Sequence, residues 1–169
     1  MKQKKNINII VGTNNAGKLR EIKDLLPNNL IIYSPKKLKL KSPKENGKSF
    51  KENSLIKAKF FSKKTGMICL ADDSGLEIDV LDKKPGIFSS RWAGAKGNFN
   101  IAIKKVFNEL KKKDSDWKNK KISAQFICVL TLYWPNGKFV NSIGKVKGYI
   151  LNEKKGKNGF GYDPIFKPL

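Results

Sequence analysis

A chain of 169 residues is long enough for one ordinary domain and short for two. Apolar residues make up 39% and recur in periodic blocks, which favours a folded protein over a disordered one, and no apolar run reaches the length of a membrane span. A formal net charge of +22 usually suggests an anionic partner, yet only Arg20 and Arg91 are arginines, and a lysine surplus spread along the chain beside many Asn and Ile reads first as codon drift in an AT-rich genome and second as a surface that steers a polyanionic small substrate.

The chain opens on MKQKKNINIIVG, whose apolar stretch is too short for the core of a signal peptide, so a soluble cytoplasmic protein is expected. Residues 7–11 read as a short buried strand. GTNNAGK follows and opens a helical pattern with Leu19, Ile22, Leu25 and Leu26 on one face, which Pro27 stops. Residues 30–33 read as a second strand, and 34–48, rich in Lys, Pro and Ser, as a loop. Ser49 and Glu52 fit a capping box for a helix that turns Phe50, Ala58 and Phe61 toward a core and ends near Thr65-Gly66. Residues 67–71 read as a strand, 72–75 as a turn, and Leu76, Ile78 and Val80 as alternate positions of a half-buried strand. A loop is expected over 83–97, a helix through Phe99, Ile103, Val106, Phe107 and Leu110, and a charged, solvated linker over 111–121. Two β-rich runs, 122–134 and 138–150, are joined by Pro135-Asn136-Gly137, a hairpin signal. KKGKNGFGYDPIF leads to the last residue, Leu169. The order describes an α/β protein with a mixed sheet and helices, without an internal repeat or a domain linker.

The sequence has no histidine, which removes the commonest general base and nitrogen metal ligand. Cys69 and Cys128 sit in apolar runs and read as reduced core residues. Chemistry then falls to carboxylates, lysines, hydroxyls or a hard metal ion. In GTNNAGK, Thr13, Asn14 and Asn15 offer side-chain hydrogen bonds, Ala16 and Gly17 open the helix with close backbone approach, and Lys18 adds a positive charge. Free N–H groups at a helix start bind phosphate, although a plain Asn-capped helix start accounts for the same residues. The glycine spacing fits neither a Walker loop nor a dinucleotide fingerprint.

Asp72 and Asp73 are adjacent acids at the end of an apolar run, where open α/β sheets bind ligands. Neighbouring carboxylates repel unless a cation or donor lies nearby, and Mg²⁺ prefers such oxygen ligands. A DSG turn, with Asp bonding its own backbone, is the alternative. Glu45 and Glu52 are further acids in or near loops, and for Glu52 the capping box is the stronger reading. In GFGYDPIF, Tyr162 is placed either to stack on a base or to pack, and Asp163 to accept from a base edge or a lysine.

Five segments in order, GTNNAGKLREIKDLL, ENGKSFKENSLIKAKFF, ADDSGLEIDVL, PGIFSSRWAG and GFGYDPIF, resemble the Ham1/ITPase-like family of nucleoside triphosphate pyrophosphatases over nearly the whole chain. The resemblance implies the ITPase-like (Maf/Ham1) fold, an elongated mixed sheet flanked by helices with its site in a cleft between two lobes. It implies Mg²⁺-dependent hydrolysis of ITP, dITP and XTP to the monophosphate and pyrophosphate, with Mn²⁺ as an alternative ion, and a homodimer without membrane or specific nucleic-acid partner. It also assigns roles. Thr13, Asn14, Asn15, Ala16, Gly17 and Lys18 match the triphosphate loop. Glu45 matches a metal-binding glutamate, and Asp73 matches the proton acceptor and metal ligand. Glu52 and Lys57 match polar positions near the phosphates, Ser74 a substrate contact, and Phe160, Gly161, Tyr162 and Asp163 the nucleoside pocket. Two departures stand out. Asn14 replaces the family's glycine, and residues 1–169 read as one domain that lacks, as an apparent C-terminal truncation, the family's later Ser-His-Arg segment. Outside this resemblance, an inactive nucleotide-binding relative and a basic nucleic-acid-binding protein are the competing expectations.

Overall fold

Parallel strands cannot be joined by a tight turn, so each parallel pair needs a crossover, and the first half of the chain supplies two. The computed structural model describes residues 7–156 and 159–169; the basic start at 1–6 and Lys157-Asn158, just ahead of GFGYDPIF, lie outside them. Strand β1 (Ile7–Val11) passes through helix α1 (Ala16–Leu25) to β2 (Leu30–Tyr33), which pairs parallel to it with Ile10 opposite Tyr33. Helix α2 (Phe50–Thr65) leads to β3 (Ile68–Ile78), which pairs parallel to β1 on its other side with Val11 opposite Leu70. Helices α3 (Ser89–Trp92) and α4 (Phe99–Lys113) follow. Then come β4 (Ile122–Tyr133), β5 (Phe139–Ile150) and the short β6 (Phe166–Pro168), antiparallel to the end of β5. The strands form one mixed six-stranded sheet in the order β2-β1-β3-β4-β5-β6.

Two compact units divide the chain, Met1–Asp73 with Val129–Ile143 and Ser74–Cys128 with Gly144–Leu169. In the first, Ile10, Ala58, Phe61, Cys69, Ala71 and Tyr133 form the core, with Leu55, Phe60 and Met67 packed against it. Burial pushes the Cys69 thiol up to about 12, so it packs as an inert apolar group, and neither it nor Cys128 is part of a disulfide. In the second unit, α4 contributes Ala102, Ile103, Val106 and Leu110 to a core that includes Leu76, Ile78, Trp117 and Ile165. Among the described residues no helix is long and apolar enough to cross a membrane.

Most expected elements form at the expected places, with four corrections. Residues 72–75 are not a turn: β3 runs unbroken through Asp72, Asp73, Ser74 and Gly75. The stretch 111–121 is not only a solvated linker, because Trp117 is buried and stacks on Phe107 at 5.2 Å between ring centroids. The 83–97 loop holds a 3-10 turn at Gly86–Phe88 and α3. Leu25, placed on the apolar face of α1, is 85% exposed, and α1 buries none of its residues.

Candidate active site

Consecutive residues of a strand point to opposite faces. This resolves the paired acids of β3, which need not confront one another. Both are buried: Asp72 is 2% and Asp73 7% exposed. Each carboxylate meets a different lysine. Lys18 Nζ donates to Asp72 Oδ2 at 2.5 Å, tying the first turn of α1 to β3. Lys57 Nζ, on α2, lies 3.8 Å from Asp73 Oδ1 and 3.0 Å from Glu45 Oε1. The pairing of β1 with β3 ends at Val11 and Leu70, with Gly12 N–H donating to the Leu70 carbonyl. The acids therefore sit just past the end of the parallel ladder, the edge at which α/β sheets present functional groups.

The GTNNAGK segment turns at that edge. Thr13 Oγ1 accepts from Asn15 N–H, and Asn15 caps α1 by accepting from Lys18 N–H through Oδ1 at 3.1 Å. The helix start is thus Asn-capped, as one of the two expectations held. The cap uses one of the first-turn donors; Ala16 and Gly17 N–H, at the first two helical positions, have no acceptor within the helix. Asn14 is exposed, donates through Nδ2 to Ser42 Oγ at 2.8 Å, and keeps a negative φ, so its replacement of glycine takes no left-handed backbone here.

Helix α2 buries Phe50, Asn53, Ser54, Lys57, Ala58, Phe61 and Ser62 along one face. Four of these seven are polar, and a core-facing stripe of that composition is costly unless its groups find partners. Ser54 Oγ bonds Thr131 Oγ1 at 2.7 Å, and Ser62 Oγ donates to the Met67 carbonyl at 2.7 Å. Asn53, fully buried, accepts from Gly47 N–H through Oδ1 at 2.8 Å and so pins the loop two residues after Glu45. Asn53 escaped notice in the sequence; the signal was an amide beside Glu52 at the start of a helix, one turn before Lys57. Glu52 itself completes the cap. It accepts from Lys48 N–H through Oε2 at 2.7 Å while its own N–H donates to Ser49 Oγ at 3.1 Å. Gly47 has no room for a side chain, since a Cβ there would lie 2.7 Å from both Asn53 Oδ1 and Glu52 Cβ.

Asp73 is the unusual group. Oδ2 is buried without a hydrogen-bond partner, and so is Asn53 Nδ2. Burial pushes the Asp73 carboxyl up to about 6; Lys57 opposes the rise, Glu45 adds to it, and the Asn53 amide and Lys18 oppose it. The Asn53 amide therefore acts on Asp73 from nearby without full hydrogen-bond geometry. Among the described residues no group of three or more Asp, Glu, Cys or His converges on one point. Glu45 and Asp73 nevertheless meet at one lysine ammonium, a place where a cation is already favoured. Hard oxygen donors, one of them an orphaned carboxylate oxygen, suit Mg²⁺, which is commonly held by one or two carboxylates together with substrate phosphates.

Thr13 to Lys18, Glu45, Glu52, Lys57 and Asp73 all belong to the first unit; Ser74 and Phe160 to Asp163 belong to the second. There the Tyr162 ring is buried, meets Phe99 edge-on at 5.3 Å, and donates its hydroxyl to the Ser89 carbonyl at 2.9 Å. Burial pushes that hydroxyl up, which keeps it a donor. Packing therefore accounts for the Tyr162 ring. Asp163 Oδ2 accepts from Phe160 N–H at 2.8 Å and closes the turn through Gly161, whose φ of 68° suits glycine.

The model of the Ham1 family matches residues 9–169. A dITP/XTP pyrophosphatase of Zymomonas mobilis is 45% identical over 94% of this chain and 75% of its own length. One of Brucella melitensis is 41% identical over 95% and 74%. A HAM1 protein structure from Coxiella burnetii superposes with a TM-score of 0.82 at 38% identity, covering 95% of this chain and 81% of that one.

Proposed function

Because this chain belongs to the Ham1 family, we propose that it hydrolyses the nonstandard purine nucleoside triphosphates ITP, dITP and XTP to the monophosphate and pyrophosphate, acting in the cytoplasm as a homodimer that clears the nucleotide pool. The observation that carries this reading is the buried Asp73 carboxylate, with one oxygen unpartnered and the other beside a lysine shared with Glu45. The names of the relatives, dITP/XTP pyrophosphatases, support the substrate class.

In this reading the triphosphate lies along Thr13, Asn14, Asn15, Ala16, Gly17 and Lys18. The Ala16 and Gly17 N–H groups and the positive end of α1 favour its charge. Lys18 keeps its tie to Asp72, so its main contribution is to hold that loop in place. Glu45 and Asp73 would hold Mg²⁺ or Mn²⁺. When bound, such an ion neutralises phosphate charge and helps orient the attacking water. Asp73 accepts the water's proton as oxygen attacks the α-phosphorus, and pyrophosphate leaves. In the metal-free site, burial raises the affinity of the Asp73 carboxyl for a proton. Asn53 and Gly47 position Glu45, and Glu52 does so through the α2 cap.

The test is a panel of ITP, dITP, XTP, ATP and GTP, with Mg²⁺ or with EDTA, assayed for monophosphate and pyrophosphate. The expected result is Mg²⁺-dependent pyrophosphate release from the first three, lost in Asp73→Asn. Activity of Asp73→Asn within a few-fold of wild type, or no release from any purine triphosphate, overturns the reading.

A further inference from the structure

The lysine between the two carboxylates has a consequence beyond phosphate binding. Lys57 is itself buried, and its Nζ sits 3.0 Å from Glu45 Oε1 and 3.8 Å from Asp73 Oδ1. One ammonium thus serves two carboxylates, of which Asp73 is buried and costly to charge alone while Glu45 is half-buried. We propose that Lys57 is the resident counter-ion of this pair, holding the place that a divalent cation takes, and that metal binding drives its ammonium out of the gap and makes it available to the incoming phosphates. This rests on the assignment of Glu45 and Asp73 as the metal ligands.

The chemistry of the residues supports an exchange rather than coexistence. A divalent cation and an ammonium within a few ångströms repel strongly where water is scarce. Lysine carries a compact charge on a flexible four-carbon stem, so the head can move while its Cα stays fixed on α2. Asn53 and Gly47 keep Glu45 in place without the ammonium, so the carboxylates stay assembled when it leaves. The exchange also orders the reaction: the same charge that guards the empty site is transferred to the substrate once the metal has entered.

The consequence runs against the usual expectation for a substrate-binding lysine. Removing the Lys57 charge takes away the ammonium shared by the buried Asp73 and the half-buried Glu45, so metal affinity rises while turnover falls. Mn²⁺ binding is measured by electron paramagnetic resonance without nucleotide, on wild type, Lys57→Met, Lys57→Gln, Lys57→Arg and Glu45→Gln, each checked for folding by circular dichroism. Lys57→Met and Lys57→Gln are expected to bind Mn²⁺ about tenfold tighter than wild type. Lys57→Arg stays within about threefold and Glu45→Gln loses about tenfold or more. If Glu45→Gln weakens binding but neither neutral variant tightens it, the exchange is overturned and the ligand assignment stands. If Glu45→Gln leaves binding unchanged, the ligand assignment falls and the exchange falls with it. Should the neutral variants fail to fold, wild type decides. Reductive methylation of Lys57, followed by peptide mapping, is expected to speed up at least threefold when Mg²⁺ is added, and an unchanged or slower rate overturns the exchange.

Discussion

Asp73 differs from Asp72 not in burial but in partners. Asp72 holds a lysine at hydrogen-bonding distance, whereas the lysine beside Asp73 lies at 3.8 Å and is shared with Glu45. The cost of charging it in the folded state shows as a carboxyl pushed up from 3.8 to about 6. Between those pH values the folded protein holds a proton that the unfolded chain has released. Stability from this group is therefore full at low pH and is lost as pH rises through about 6. Without metal, Asp73→Asn, a neutral group of the same shape, is expected to be more stable than wild type at pH 7.5 by roughly 1–3 kcal/mol, with the advantage gone near pH 4. Urea unfolding of both proteins in EDTA across pH 4–8 measures it. Wild type being the more stable at pH 7.5 would show that Asp73 is stabilised rather than strained by its surroundings.

The same division between structural and functional work appears along α2. Its N-terminal half turns Asn53 and Lys57 inward, and its C-terminal half turns Ala58 and Phe61 into the first unit's core. The mixed stripe explains what the sequence could and could not say. Phe50, Ala58 and Phe61 mark the helix face by their apolar spacing, and Ser49 with Glu52 marks its start. Asn53 and Lys57 lie on that same face, and their polar side chains do not mark them as buried, because their burial depends on Gly47 and Asp73, which come from other elements. The apparent DSG turn misled for a related reason: Asp-Asp-Ser-Gly has turn composition, and only the lysines supplied by α1 and α2 let it run on as strand. Strand β6, three residues ending in proline, was too short to show a pattern. The loop carrying Glu45 is sensitive to a small change. Gly47→Ala pushes a methyl to within 2.7 Å of Asn53 Oδ1 and Glu52 Cβ, and the loop must lift to relieve it. Turnover is expected to fall about tenfold or more, as in other sites displaced by an ångström, while thermal stability drops by about 1–3 kcal/mol and the protein stays folded. Near-normal turnover in a folded Gly47→Ala would show that the loop does not set the position of Glu45.

At the scale of the molecule, the charge that first suggested nucleic acid has a simpler use. With a formal net charge of +22 carried almost wholly by lysine, the surface attracts polyanions without the planar arginine forks that read bases, and a triphosphate is a fitting guest. In the proposed reading, the residues gathered in the first unit, two carboxylates around a lysine together with a capped helix start, carry the phosphate chemistry. The family was legible because its motifs are local and ordered; the pairing of each acid with its own lysine was not, because it is made across elements. The central claim is that Asp73 directs water at the α-phosphorus, and the position of the new oxygen tests it most directly. Hydrolysis of dITP in ¹⁸O-water, followed by mass spectrometry of both products, is expected to place the label in the monophosphate alone. Label in the pyrophosphate, or release of orthophosphate in its place, would contradict the account.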